Sequence, residues 1–451
     1  MKTLFKKIAL ISLPLLLTAC GDDDLDPDSI SAPDVYDFTS LTDPSAVSSV
    51  DYKEATTRLI LIEELKDLIS SDFLLEYGES RGKDDVIALL NRIYEEGTKS
   101  SFDNNLTSVN LYTRASTPTP IKSINFTGDT VSFDTLSEDV NLKEAMPGIS
   151  SNIPTRTIAS NEENGDFIGW EIEGNLNGNS YADSMIQDWF EVIADLLTDK
   201  DSLDEFDRTT RFTKNNINYH DLIISFLSAS IPYSEISNSH LSSSALSASN
   251  NQNDSSSPYT PLEHNWDMAF GYYGAPINMK LKSSASIIAA QTTSVATIDD
   301  HVFSIAGSAA QRDLDSPTKT SRLANSFINT TLSGRKLITL DNRALLVDYT
   351  TLLISNWEQT LAATLIHHIN HSISVFGNTV NLEHWSHMKA YALALQFNPR
   401  ADADEQTLLD IHGLIGSLPN LDNKDYLIGL LEAREILQNT YSIPLSDIQN
   451  W

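Results

Sequence analysis

The sequence predicts a mainly α protein built of helix bundles, with a small insertion of β and loop character. Three observations carry that prediction. Apolar residues recur at helical spacing over most of the chain beyond residue 56. Residues 100–180 are instead rich in Asn, Thr, Ser and Gly, with short alternating runs. Two segments, Trp266–Tyr272 and Trp385–Tyr391, align without a gap, and each follows a Leu-Glu-His triplet (Leu262–His264 and Leu382–His384). Such a recurrence suits a bundle of two pseudo-repeated halves, about 34–245 and 258–440, whose equivalent helices face one interior.

The elements follow in order. Leu59, Ile60, Ile62, Leu65, Leu68 and Ile69 share a stripe, with Thr56 or Thr57 as the cap. Asp84–Tyr94 is a second amphipathic helix. Ile124–Phe126 and Thr130–Phe133 alternate and predict a short hairpin, and Val140–Ala145 predicts a helical turn. Helices resume at Tyr181–Thr198, marked by Met185, Ile186, Trp189, Val192, Ile193 and Leu196, and at Tyr219–Leu227. Ser237–Ser257 is dense in Ser and Asn and reads as a helix end followed by a loop. Leu262–Tyr273 is the next helix; Ala275–Ser316 holds one polar and one apolar stretch, and Ser321–Leu332 is a short helix. Arg343–Phe376 has few breakers and predicts the longest helix, and Leu382–Phe397, Asp404–Gly416 and Lys424–Gln438 complete the set. Residues 441–451 read as a C-terminal tail.

Residues 1–20 carry a different signal. Lys2, Lys6 and Lys7 form a positive start, and Ile8–Leu17 form an apolar stretch too short to span a bilayer. Leu17-Thr18-Ala19-Cys20 then places small residues before the only cysteine of the 451 residues. This order of parts resembles the signal peptide and lipobox of a bacterial lipoprotein. The resemblance implies cleavage after residue 19 and acylation of Cys20 with palmitate-like chains, so that the membrane is a partner through the anchor. Each buried methylene contributes about 0.8 kcal/mol, so two or three long chains hold a domain stably. Residues 20–33, acidic and broken by Pro27 and Pro33, read as the tether. Gly21, rather than aspartate, follows the cysteine, which points to an outer-membrane, periplasmic or surface-facing location.

The net charge is −32, and loss of the three signal lysines takes it to about −35. So acidic a surface repels nucleic acid and favours cations or basic partners. With one cysteine, a disulfide within the chain and a thiolate metal site are both excluded. The chain has no His-Glu-x-x-His, no Gly-x-Ser-x-Gly and no Walker A loop.

Two clusters are candidate sites. His367 and His371 lie one helical turn apart, and His384 and His387 share a face of the next helix, with His368 beside them. Neutral imidazoles at this spacing are candidate ligands for iron or zinc, and the ordinary alternative is a polar helix face. Glu263, His264, Trp266 and Asp267 form the candidate binding cluster: a carboxylate pair with a histidine can bind a cation or serve as acid and base. The alternative there is that Glu263 and Asp267 complement the N-terminus of their own helix after Pro261.

Val35–Phe38, Val50–Tyr52, Arg58-Leu59, Glu64–Lys66, His264–Gly274, Trp357-Glu358, Ala362–Thr364 and Leu382–Ser386 together resemble a domain-of-unknown-function family of bacterial lipoproteins. That family is similar to the imelysin-like proteins, helical envelope proteins linked with iron uptake. The resemblance runs from about Pro33 to Gln438. It implies a non-enzymatic binding or accessory role in the cell envelope, in iron or cation acquisition, with a metal ion or an envelope protein as partner. Met268 and His387 stand where the family pattern has carboxylates, which weakens a metal role. The alternatives are an envelope metal-dependent hydrolase and a protein- or glycan-interaction module.

Overall fold

The computed structural model of the protein describes residues 30–97, 140–146, 168–170, 182–198, 212–292, 302–317, 322–376 and 383–451, apart from 44, 47, 255 and 421, together with the backbone of 123–126 and 129–132. The signal-like segment, Cys20, most of the tether and most of the 100–180 insertion lie outside the described residues.

The protein is mainly α. In chain order the helices are α1 (Lys53–Ser70), α2 (Asp72–Arg81), α3 (Lys83–Asn91), α4 (Ala182–Thr198), α5 (Tyr219–Ser234), α6 (Ser243–Leu246), α7 (Pro261–Tyr273), α8 (Ser284–Thr292), α9 (Ser304–Asp315), α10 (Leu323–Thr339), α11 (Arg343–Ser374), α12 (Glu383–Ala394), α13 (Glu405–Ile415), α14 (Lys424–Thr440) and α15 (Leu445–Ile448). Six of them close a ring: α1 packs on α5, α5 on α12, α12 on α11, α11 on α10, α10 on α7 and α7 back on α1. Helix α9 lies against α5, α10 and α11, while α2–α4 flank α1 and α5, and the α13–α14 pair backs α11 and α12.

Local sequence explains the best-defined starts and stops. Helix α7 begins at a capping box: the Thr260 hydroxyl accepts from the Glu263 N–H, and the Glu263 carboxylate accepts from the Thr260 N–H. Pro261 occupies the first turn, where its missing N–H costs nothing, and Gly274 closes the helix at φ 72°. Asn342 caps α11, which at 32 residues matches the longest predicted helix. Helix α1 starts earlier than the stripe suggests, at Lys53; Thr56 and Thr57 are not caps but donate their hydroxyls to the carbonyls of Tyr52 and Lys53 within the helix. Helix α5 runs past Leu227 to Ser234 with Pro232 inside it, and the chain then widens into a π-helical turn over Glu235–His240.

The β character is confined to two hairpins among the described residues. Strand β1 (Ser123–Phe126) pairs antiparallel with β2 (Asp129–Ser132), Phe126 opposite Asp129, where the alternation predicted it. Strands β3 (Thr213–Lys214) and β4 (Ile217–Asn218) flank Asn215 and Asn216, both at positive φ, an Asn-favoured hairpin geometry that the sequence reading passed over. Of the turn predicted at Val140–Ala145, only Lys143–Ala145 forms, as a 3₁₀ turn.

The stretches on either side of the serine-rich segment interleave: α5, before it, lies along α12, after it, and both contribute to one continuous core. Residues 441–451 are not a loose tail. Trp451 is buried and donates its indole N–H to the Arg312 carbonyl at 3.0 Å, and the Asn370 amide holds the carbonyls of Ile448 and Trp451, each at 2.7 Å.

Candidate functional site

The cluster on α7 is a core ion-pair network. Glu263 and Asp267 sit one turn apart on the face of α7 that meets α10, where Gly334 lets the Trp266 ring lie directly on the backbone. Arg335 reaches across: Nε donates to Asp267 Oδ1 at 2.9 Å, Nη1 to Glu263 Oε1 at 2.8 Å and Nη2 to Ser49 Oγ at 2.8 Å. Tyr36 OH donates to Asp267 Oδ1 at 2.8 Å and the Asp51 N–H donates to Oδ2 at 3.2 Å. Arg335, Glu263 and Asp267 have no exposed surface. Burial pushes the Asp267 carboxyl up to about 6, against the pull of Arg335 and the Tyr36 hydroxyl. Trp266 donates its indole N–H to the Thr331 carbonyl at 2.9 Å, and His264 meets the Asp51 carbonyl through Nδ1 at 3.1 Å while stacking on Tyr259. The Glu263 and Asp267 carboxylates and the Arg335 guanidinium are turned to one another, so this network ties residues 36–51 to α7 and α10, while His264 is only partly buried. Of the two sequence readings, the helix-start role of Glu263 is the one the geometry displays.

The histidines of α11 and α12 do come together. His367 and His371 have ring centroids 4.6 Å apart, His371 stacks on His384 at 4.1 Å, and His368 stacks on His387 at 4.8 Å. His368 Nδ1 and His384 Nδ1 lie 3.3 Å apart. Two pairs, His371–His384 and His368–His387, are stacked, whereas His367 stands edge-on to His368, His371 and His384. A metal ion sits near the plane of each imidazole it binds, about 2 Å from the nitrogen. The two stacked pairs direct their lone pairs along nearly parallel planes. Among the described residues, no three His, Cys, Asp or Glu side chains are arranged to hold a metal ion.

The same helices enclose a cavity of about 340 Å³, walled by α1, α5, α9, α11 and α12. Its polar wall includes His220, Asp221 and Ser225 of α5, Arg312 of α9, His367 and His368 of α11, and His387 and Tyr391 of α12. Burial and neighbouring positive charges, Arg312 among them, hold His367 down at about 3 and His368 well below the usual imidazole range. Burial likewise lowers His387, opposed by Asp221. Burial pushes the Asp221 carboxyl up, but the His220 hydrogen bond and the adjacent imidazoles outweigh it and leave the group below its ordinary value. At neutral pH these histidines are uncharged and carry both a donor and an acceptor nitrogen.

One arrangement within the cavity has the outline of a nucleophile and base. Ser225 Oγ lies 2.6 Å from His387 Nδ1, and His387 Nε2 lies 3.9 Å from Asp221 Oδ2. The first distance is a hydrogen bond and the second is not. Asp221 is engaged instead by His220 Nδ1 at 2.8 Å and by Asn218 Nδ2 at 2.6 Å. Ser225 thus has a proton acceptor, but that acceptor lacks the orienting carboxylate of a working triad.

Sequence reasoning found His367, His368 and His387 and missed His220, Asp221, Ser225, Arg312 and Tyr391. Arg312 falls in a stretch that gave no helical pattern, because α9 buries small residues such as Ala306, Gly307, Ala309 and Ala310 rather than a large apolar stripe.

A family model described as a domain of unknown function (DUF4856) matches residues 202–304. That span contains the cavity's α5 wall, the α7 carboxylates Glu263 and Asp267 and the first residue of α9. No curated protein and no solved structure matches the chain.

Proposed function

We propose that this is a lipid-anchored, non-enzymatic binding protein of the cell envelope whose helical domain takes up a small polar ligand in the cavity between α5, α9, α11 and α12. The observation that carries the binding role is the cavity itself, a half-open polar space of about 340 Å³ between the helices. The anchor rests on Leu17–Cys20 and on the positive and apolar segments before it. Among the described residues, no helix is long and apolar enough to cross a membrane. The imelysin-like resemblance adds iron or another cation as cargo, and the acidic surface suits it. Among the described residues no three His, Cys, Asp or Glu side chains are arranged to hold a metal ion, which makes a polar organic ligand the better fit.

Calorimetry and thermal-shift titration of the full chain in detergent test the cavity, with sugars, amino acids, organic acids and ferrous, ferric, zinc and copper ions as probes. The expected result is a ligand whose binding is lost in Ser225→Phe, which fills the cavity. A panel in which nothing binds more tightly than about 1 mM, near 4 kcal/mol, overturns the binding role, and the metals alone failing removes the cation version. For the anchor, Cys20→Ala releases the protein from the membrane fraction, and mass spectrometry finding an unmodified Cys20 in the processed chain refutes it.

The Ser225–His387 pair favours a second reading, an envelope hydrolase. Covalent labelling of Ser225 by a fluorophosphonate, lost in His387→Gln, is the outcome that establishes it over the binding role.

A further inference from the structure

Arg312 is only 4% exposed, yet it is not satisfied by the protein. Its Nη2 is held by Asp315 Oδ2 at 3.0 Å, whereas Nε and Nη1 have no partner among the described residues. A buried guanidinium with unmet N–H groups is costly, and the fork of donors it presents matches the geometry of a carboxylate or phosphate. The side chain lines the cavity together with Tyr391, Ser304, Ser308 and Gln311, neutral groups that hydrogen-bond an anion without repelling it.

The charges around the cavity are unevenly placed. Arg312 bears on His367 and His368, whereas Asp221 bears on His387. Lys66 and Glu63 pair with each other at 3.2 Å, and Asp221 is occupied by His220 and Asn218. Arg312 is ion-paired with Asp315, so what the α9 wall leaves unmet is hydrogen bonding: two guanidinium N–H groups without a partner among the described residues.

We infer that the cavity is an oxyanion site, in which Arg312 anchors a carboxylate or phosphate group of the ligand while hydroxyls of the α9 and α12 wall hold the rest. This rests on the binding role proposed above and assigns its ligand class.

The test is calorimetry of the full chain in detergent with inorganic phosphate, acetate, succinate and citrate, alongside glucose and zinc as probes without an oxyanion. Binding of at least one of the four anions is expected, weakened at least tenfold in Arg312→Gln. Preference for phosphate or for the organic acids separates the two sources of the oxyanion. Should Arg312→Gln fail to fold, judged by circular dichroism, Gln311→Ala and Tyr391→Phe replace it, each expected to weaken anion binding several-fold while the protein stays folded. Anion affinity unchanged in these variants, or no anion binding at all, overturns the oxyanion site. Glucose or zinc bound in the cavity while all four anions fail leaves the binding role standing and removes this ligand class. Failure of every probe removes both.

Discussion

Arg335 shows how much one residue organises. It joins α10 to two carboxylates of α7 and to Ser49, with the Phe38 ring 5.0 Å below its guanidinium carbon. Arg335→Met should lower stability by about 3–5 kcal/mol, because it leaves Glu263 and Asp267 buried and unpaired. Adding Glu263→Gln and Asp267→Asn should restore part of that loss in chemical denaturation, which identifies the stranded charges as the cause. The histidines of α11 and α12 make a second prediction at this scale. Their folded pKa values, about 3 for His367 and about 4 for His384, lie below the unfolded value near 6.5. Above pH 6.5 neither state binds the protons and stability is unaffected. Between pH 6.5 and about 4 the unfolded chain takes them up first, so the folded state loses stability as pH falls. The melting temperature should decline over that window, and His367→Gln should flatten the decline.

Individual elements are placed by a few polar contacts added to apolar burial. Helix α7 is set by its capping box, and Thr260→Ala should cost about 1 kcal/mol, measurable as a lower melting midpoint. Glu358 of α11 acts on the far side of the ring much as Glu263 and Asp267 do on the near side. It accepts from Tyr441 OH at 2.8 Å and from the backbone N–H groups of Asp402 and Ala403, each at 3.1 Å. Both Trp-and-carboxylate pieces singled out in the sequence, Trp266-Asp267 and Trp357-Glu358, thus serve as internal anchors. The helical periodicity of α4, α7, α11, α13 and α14 was legible because each buries a large apolar stripe. Helices α8 and α9 were not, since α8 buries only Ile287 among its described side chains and α9 buries mostly small residues, and α2 follows α1 with only Ser71 between them.

For the whole molecule, the closed ring of helices makes the last residues part of the core. Truncation after Thr440 removes Trp451 and Tyr441, each no more than 7% exposed, and exposes the wall of α9 and α11 that they cover. Loss of a buried aromatic side chain typically costs about 3–5 kcal/mol, so the truncated chain should melt well below the full one or fail to accumulate folded. Retention of the full melting temperature would refute the docked end. The interleaving of α5 with α12 also implies that the stretches before and after 246–258, expressed separately, should not fold alone.

By itself the sequence determined the helical class, the position of most helices and the β1–β2 hairpin, and it offered the approach of the α11 and α12 histidines as one of two readings. Each of these depends on residues near one another in the chain: apolar spacing, caps, alternation, and histidines one turn apart. It also supplied the expectation of an anchor at Cys20, which depends on a short linear pattern. Only the tertiary structure decided that Glu263 and Asp267 face Arg335, 72 and 68 residues away, rather than a ligand. It also decided that Arg312, Ser225 and the histidines share one cavity, and that residues 441–451 belong to the core. The reason is physical: a side chain's partner across a bundle is set by which helices pack together, and helical periodicity specifies that a face is buried without specifying against what.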